Sequence, residues 1–283
     1  MTIHSSPFLT AQWRNLVMLN FEVDPALIAP HVPAGTEIDF WNGKTFVSLV
    51  GFQFLQTRLK GFRVPFHVKF DEVNLRFYVR HQRGNEWRRG VVFLREIAPR
   101  LAVVLVARWI YNENYVALPM GSTLDLPTGA NGHRGSVSYQ WKWEGQWSEV
   151  AAQISGTPKM LQAGSEAEFI AEHYWGYSRQ RDGSTLEYRV DHPSWSIWQA
   201  DRCHFHGDVT TLYGRDFARV LSQPPSSGFV ADGSEIAVHA GQLLKDSVTE
   251  LRSGLPVHDR DAIPHIPHRS AGAGVLSREP RQL

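Results

Sequence analysis

The segment FDEVNLRFYVR, residues 70–80, alternates with a period of two. Asp71, Val73, Leu75, Phe77 and Val79 fall on one side, and Glu72, Asn74, Arg76, Tyr78 and Arg80 on the other. Such alternation predicts a strand whose apolar face is buried. It leaves open what the polar face meets: water, or an enclosed pocket. Similar β-rich runs recur along the chain, flanking Asn42-Gly43, Arg83-Gly84-Asn85, Glu144-Gly145, Asp182-Gly183 and Asp232-Gly233. Short glycine-containing turns between β-formers predict hairpins, and hence a mostly antiparallel sheet. Helices are few. Asp24 and Pro25 supply an N-cap and a first-turn proline for a short helix within 24–32. Ser165 and Glu168 form a capping box for a second, over 165–174, and RDFARVL predicts a third over 215–222, halted by Pro224 and Pro225.

The pattern lapses after about residue 245, where the chain turns rich in Pro, Gly, Ser, His and Arg. Such a stretch buries too little to offset its ordering entropy. The expected organisation is one domain over 1–244 and a disordered or loosely attached tail over 245–283. With 42 % hydrophobic residues and 10 tryptophans, the domain has ample material for a core. Charge is balanced, 29 basic against 28 acidic residues, so no global field draws the chain to nucleic acid or anionic lipid. The apolar run LAVVLVA (101–107) is too short to span a bilayer and reads as a buried strand. One cysteine, Cys203, excludes an intramolecular disulfide and fits a reducing compartment. The N-terminus lacks a basic n-region followed by an apolar stretch, so the expected location is cytoplasmic. A homo-oligomer is compatible with all of this.

Motifs narrow the chemistry mostly by absence. GxSxG, Walker A, HExxH and GxGxxG do not occur, and the glycine-rich TGANGHRG (128–135) is expected to be a loop. CHFH (203–206) invites a metal reading. On a strand, however, His204 and His206 share a face that Cys203 does not, and a third ligand would have to come from elsewhere, for instance Asp191 or His192. Structural histidines are the favoured reading, and no metal or other cofactor is expected. HYWGY and PSWSIW are expected to be aromatic core. Arg14 and Arg108 sit in apolar sequence, so each either reaches out to solvent or binds a carboxylate inside.

The order of several stretches resembles the domain of unknown function 2071 family, a distant relative of acetoacetate decarboxylase. They include WRNLVMLNFEVDPALIAPHVPAGTEIDFW, KTFVSLVGFQF, FDEVNLRFYVR, GVVFLREIAPR, ARWIYNENY, FIAEHYWGYSR and YRVDHPSW. The resemblance covers roughly residues 8–240. It implies a β-rich fold, an antiparallel sheet curled into a cone or barrel around a central pocket, into which the Glu72 face looks. The decarboxylase uses a Schiff-base lysine beside an arginine and a glutamate. Carried over, the arginine falls on Arg14 and the glutamate on Glu72, while the stretch ending in the lysine pair falls on Arg108 through Val116. The lysine positions hold Tyr115 and Val116, and no lysine lies between Lys69 and Lys142. A second acidic residue of the decarboxylase pocket has no counterpart near Phe46 to Ser48.

Without an amine there is no imine to act as electron sink, so acetoacetate decarboxylase activity is not expected. What remains is a carboxylate, a phenol and cationic clamps. Glu72 is the candidate base and Tyr115 the candidate donor to a developing enolate. Arg14, Asn74, Arg76 and Arg108 are the candidate substrate-binding residues, arginine being suited to grip a carboxylate bidentately. The alternative for Glu72 is a purely structural ion pair with one of these arginines. Three functional readings follow: an enzyme moving protons on a small oxo or hydroxy acid; a non-catalytic binder of a carboxylate or aromatic metabolite; and a structural protein with a filled barrel. In the first two the partner is a small molecule, with neither nucleic acid nor membrane involved.

Overall fold

The structure is a computed structural model and describes residues 6–63, 68–99, 112, 114–127 and 133–244. Its strands, in chain order, are β1 (Leu9–Val23), β2 (Glu37–Ile38), β3 (Thr45–Leu59), β4 (Phe62–Arg63), β5 (Phe70–Arg83), β6 (Glu86–Ala98), β7 (Tyr115–Ala117) and β8 (Met120–Asp125). They continue with β9 (Arg134–Trp143), β10 (Gln146–Ser155), β11 (Lys159–Met160), β12 (Trp175–Arg179), β13 (Thr185–Asp191), β14 (Ser196–His206), β15 (Ser227–Val238) and β16 (Gln242–Leu243). The helices are short: α1 (Pro25–Ile28), continued by a 3-10 turn, α2 (Glu166–Ala171), α3 (Thr210–Tyr213) and α4 (Arg215–Leu221). The predicted strand over 101–107 and the tail over 245–283 lie outside the described residues. No described helix is long and apolar enough to cross a membrane.

The sheet runs β13-β12-β6-β5-β3-β1-β15, and β15 pairs back onto β13 through Val190–Val238 and Asp191–Ala237. That last pairing closes a ring, as the expected curled sheet requires. From β15 the sheet also continues through β14 to β10, β9 and β8, so the ring is not a regular barrel. Most pairings are antiparallel, but β6 pairs in parallel with both β7 and β12. Period-two alternation sorts β5 between two cores. Val73, Leu75, Phe77 and Val79 join a large cluster with residues of β9, β10, α3 and α4, among them Tyr139, Trp141, Val150 and Leu212. The next residues along, Glu72, Asn74, Arg76 and Tyr78, point the other way, into the ring.

A buried polar chain crosses the ring wall. Tyr78 Oη donates to Ser48 Oγ at 2.6 Å, Ser48 donates to Asn20 Oδ1 at 2.7 Å, and Asn20 Nδ2 donates to Ser227 Oγ at 2.9 Å. It links β5, β3, β1 and β15 side by side, so a one-residue slip in any of them would orphan buried groups.

Turn signals mostly act as expected. Hairpins form at Gly84, Gly145 and Gly183. Two expectations fail. Around Asn42-Gly43 only an isolated Trp41–Lys44 bridge forms, because β2 pairs with β5 instead of β3. Asp232-Gly233 is no turn at all and lies inside β15. Gly233 has φ 81°, and a Cβ there would meet the Trp13 carbonyl oxygen at 2.0 Å, so this glycine permits a close strand approach within a continuous strand. Ser165 caps α2 as predicted: its Oγ accepts from Glu168 N at 3.1 Å, and the Glu168 carboxylate accepts from Gly164 N at 2.6 Å. Ser165→Ala is expected to cost about 1 kcal/mol by urea denaturation; an unchanged midpoint would show that the cap contributes nothing.

Candidate functional site

The ring encloses a cavity of about 220 Å³. Its walls are largely aromatic: Trp13 from β1, Phe52 and Phe54 from β3, Phe70 from β5, Trp175 from β12 and Tyr188 from β13. Set into them are Glu72, Asn74 and Arg76 from β5, Glu96 from β6, Tyr115 from β7, and His173 and His192 from the segments flanking β12 and β13.

Glu72, Asn74 and Arg76 reach the cavity because they occupy alternate positions of one strand whose other face is core. Tyr115 reaches it because β7 lies parallel to β6, with Tyr115 opposite Glu96. Its phenol donates to Glu72 Oε2 at 2.9 Å, and Asn74 Nδ2 donates to Glu72 Oε1 at 3.3 Å. Both bonds favour the ionised carboxylate. Desolvation opposes them and wins, raising the Glu72 pKa to about 7. Burial, with Glu72 and Glu96 nearby, pushes the Tyr115 phenol well above its ordinary value and keeps it a donor. The alternative for Glu72, a structural ion pair with an arginine, is absent among the described residues.

Arg76 is buried at 9 % exposure. Its Nη2 donates to the Ile170 carbonyl at 3.2 Å, and its Nε has no partner among the described residues. No described carboxylate lies within 4.0 Å of it. A buried guanidinium without a counter-ion is costly, and an incoming anion would relieve that cost.

Arg14 does not join this group. Trp13 faces the cavity, so Arg14, next along the strand, faces away and donates to the Gly233 carbonyl at 3.1 Å. Asn15 then takes φ 57° at a register shift between β1 and β3, which turns Leu16 back inward. The bulge lets both Trp13 and Leu16 line the cavity while Arg14 stays outside. Arg108 lies outside the described residues. In the CHFH segment, His204 Nε2 sits 3.4 Å from Glu149 Oε2 at the surface, while Asp191 pairs with Arg189 and His239 instead of these histidines.

Glu96 was not anticipated from the sequence. A regular β5–β6 hairpin continuing from the Arg80–Arg89 pairing would set Asn74 opposite Arg95. The register shifts between Leu75 and Arg76, so Arg76 faces Phe93 whereas Asn74 faces Glu96 and Leu75 faces Arg95. One extra residue in β6 thus turns an acid into the cavity and a base out of it. His173, within the aromatic HYWGY, was also missed. Its Nε2 lies 3.3 Å from Asp39 Oδ2, and Arg89 Nε donates to the same oxygen at 2.7 Å.

Unpaired polar groups concentrate here. Trp13 Nε1, Thr57 Oγ1, Asn74 Oδ1, Arg76 Nε and His173 Nδ1 are buried without a hydrogen-bond partner among the described residues, and all five belong to cavity-lining residues. Folded proteins leave few such atoms, and their gathering among the residues that line one cavity is what a polar ligand would satisfy.

Residues 10–235 match the profile of the DUF2071 family, described as an uncharacterized conserved protein. The chain is similar to the uncharacterized protein YqjF of Bacillus subtilis (strain 168), at 24 % identity over 208 residues, covering 71 % of this chain and 80 % of the relative. Among solved structures it is similar to the enduracididine biosynthesis enzyme MppR complexed with pyruvate, with TM-score 0.59 and 15 % identity over 87 % of this chain and 93 % of that one. An acetoacetate decarboxylase-like enzyme from Sphingomonas wittichii RW1 gives TM-score 0.59 and 14 % identity, covering 85 % and 94 %. Acetoacetate decarboxylase from Legionella pneumophila gives 0.56 and 12 %, covering 88 % and 91 %. At these identities the likeness shows the fold alone.

Proposed function

The chain belongs to the DUF2071 family, and from that premise we propose that its cavity moves protons on a small oxo or hydroxy acid without forming an imine. The observation that carries this reading is Glu72: a buried carboxyl on the cavity wall, bonded by a phenol, with its pKa raised to about 7. A base so poised is half-ionised near neutral pH and can take a proton from a carbon beside a carbonyl or carboxylate. Tyr115, kept protonated, stabilises the oxyanion that forms. Arg76 holds the substrate carboxylate, and the aromatic walls take its apolar remainder. The imine route lacks its amine. No lysine lines the cavity among the described residues, and none lies between Lys69 and Lys142. MppR, of similar fold, was complexed with pyruvate, itself a small oxo acid, which fits the size and class proposed here.

The second reading is a binding protein without chemistry, favoured by the aromatic walls. One experiment separates the two. A thermal-shift screen of metabolite carboxylates identifies ligands, and proton NMR in heavy water then follows exchange of their carbon-bound hydrogens. Exchange should be catalysed by the wild type, rise with pH through about 7, and vanish in Glu72→Gln while binding persists. In Tyr115→Phe the midpoint should move upward, since the lost hydrogen bond is one that lowers the Glu72 pKa. Ligands that bind without exchange would leave the binding reading alone standing.

A further inference from the structure

Asp39, buried at 4 % exposure, lies just past β2, where its backbone N–H donates to the Tyr78 carbonyl at 3.0 Å. Arg89 of β6 donates to its carboxylate, and the His173 ring and Arg89 together hold that carboxyl below its ordinary pKa despite burial. An ionised carboxylate only accepts hydrogen bonds, so the proton of the facing imidazole sits on Nε2. Burial keeps the ring neutral, its pKa lowered to about 4 against the pull of Asp39, with Arg89 and Arg76 adding to the depression. Nδ1 is therefore a lone-pair acceptor, and it has no donor among the described residues.

The Tyr78 ring is a shared neighbour of this acceptor and of the Arg76 guanidinium, which has no carboxylate partner among the described residues. The His173 ring lies 4.7 Å from the Tyr78 ring, and the Arg76 Cζ lies 5.7 Å from the same ring. Arg76 also donates to the Ile170 carbonyl, three residues before His173. One end of the cavity thus brings a guanidinium that has no counter-ion, and whose Nε lacks an acceptor among the described residues, near a neutral acceptor that lacks a donor.

We propose that His173, oriented by Asp39, reads a hydroxyl on the ligand, so that the cavity takes hydroxy acids, with the carboxylate on Arg76 and the hydroxyl donating to His173 Nδ1. This deepens the proposed function and rests on its carboxylate seat. An oxo acid would set a carbonyl lone pair against the Nδ1 lone pair and leave both unsatisfied. An ammonium in the hydroxyl's place would add a cation near Arg76 and Arg89 and bring three protons to one acceptor. Because Nδ1 carries no proton to give, the hydroxyl is a recognised group and not one protonated for departure by this histidine.

The test is calorimetric titration of two matched series: lactate, pyruvate and propanoate, and 3-phenyllactate, phenylpyruvate and 3-phenylpropanoate. In the wild type the hydroxy acid of at least one series should bind about tenfold or more tighter than its oxo and unsubstituted partners, the worth of one buried hydrogen bond. His173→Phe, which keeps a ring against Tyr78, should reduce that preference to within about twofold while propanoate-type affinity persists. Ring-nitrogen NMR on 15N-histidine-labelled wild type gives a reading independent of the variant's folding. The His173 signals, assigned by their loss in the variant or by ligand response, should show a protonated Nε2 and a bare Nδ1 that moves with hydroxy acids only. A hydroxy acid that binds no tighter than its oxo or unsubstituted partner in every series that binds would overturn the hydroxyl seat and leave the carboxylate seat intact. Failure of all six acids to bind would overturn both.

Discussion

Glu72→Gln should make the protein more stable at pH 8, by about 3 kcal/mol more than any change it causes near pH 4.5. The folded pKa of about 7 lies above the ordinary value of 4.5, so between those limits the native state keeps a proton that the unfolded chain has lost. Wild-type stability from this group is therefore whole below about pH 4.5 and falls as pH rises through 7. Glutamine has no proton to lose and keeps an oxygen to accept from Tyr115, so the difference between variant and wild type grows across that window and then levels off. Urea denaturation of both proteins at pH 4.5, 6 and 8 measures it. The same substitution should abolish carbon–hydrogen exchange, since the amide preserves shape and removes the base. A stability difference that stays flat with pH would mean that Glu72 ionises like a solvated acid, and the poised base would be gone with it.

Glu72, Asn74 and Arg76 were legible because a strand with one almost wholly apolar face leaves its other face a single direction to point, and in a closed ring that direction is inward. Tyr115 was found by position within a matched stretch, and its bond to Glu72 bears on the same carboxyl. The misreadings share a cause. Arg14 was expected inside and Glu96 was overlooked, and each sits beside a register shift that reverses which residues face the cavity. A bulge adds one residue to one strand and leaves no mark in local periodicity. Gly233 misled for a related reason: Asp-Gly is a turn signal only when the chain must turn, and here it serves a close strand approach. Ring closure through β13 and β15, and the parallel pairings of β6, join segments remote in sequence, so no local pattern could announce them. His173 was hidden by its neighbours, since an aromatic cluster reads as plain core until Asp39 is seen to face the ring.

Arg76→Met should stabilise the ligand-free protein and remove acid binding together. The guanidinium is buried, and among the described residues it has one hydrogen bond to a carbonyl, a weak 3.9 Å contact with Met18 Sδ, and no carboxylate. Its desolvation is therefore poorly compensated, and an apolar side chain of similar length avoids that cost while packing against Met18 and Tyr78. The lost bond to Ile170 takes back part of the gain. A net increase of about 1–2 kcal/mol in urea denaturation is expected, since replacing poorly paired buried charge by apolar volume often stabilises. Affinity for carboxylates found by thermal shift should fall about 100-fold or more, as loss of a buried charge-assisted contact implies, while neutral analogues of the same shape bind as before. A residue kept for architecture would behave in the opposite way: the variant would melt lower, and acids and neutral analogues would weaken alike. A gain in stability with selective loss of acids would mean that the chain carries an unfavourable buried charge for the sake of its ligand.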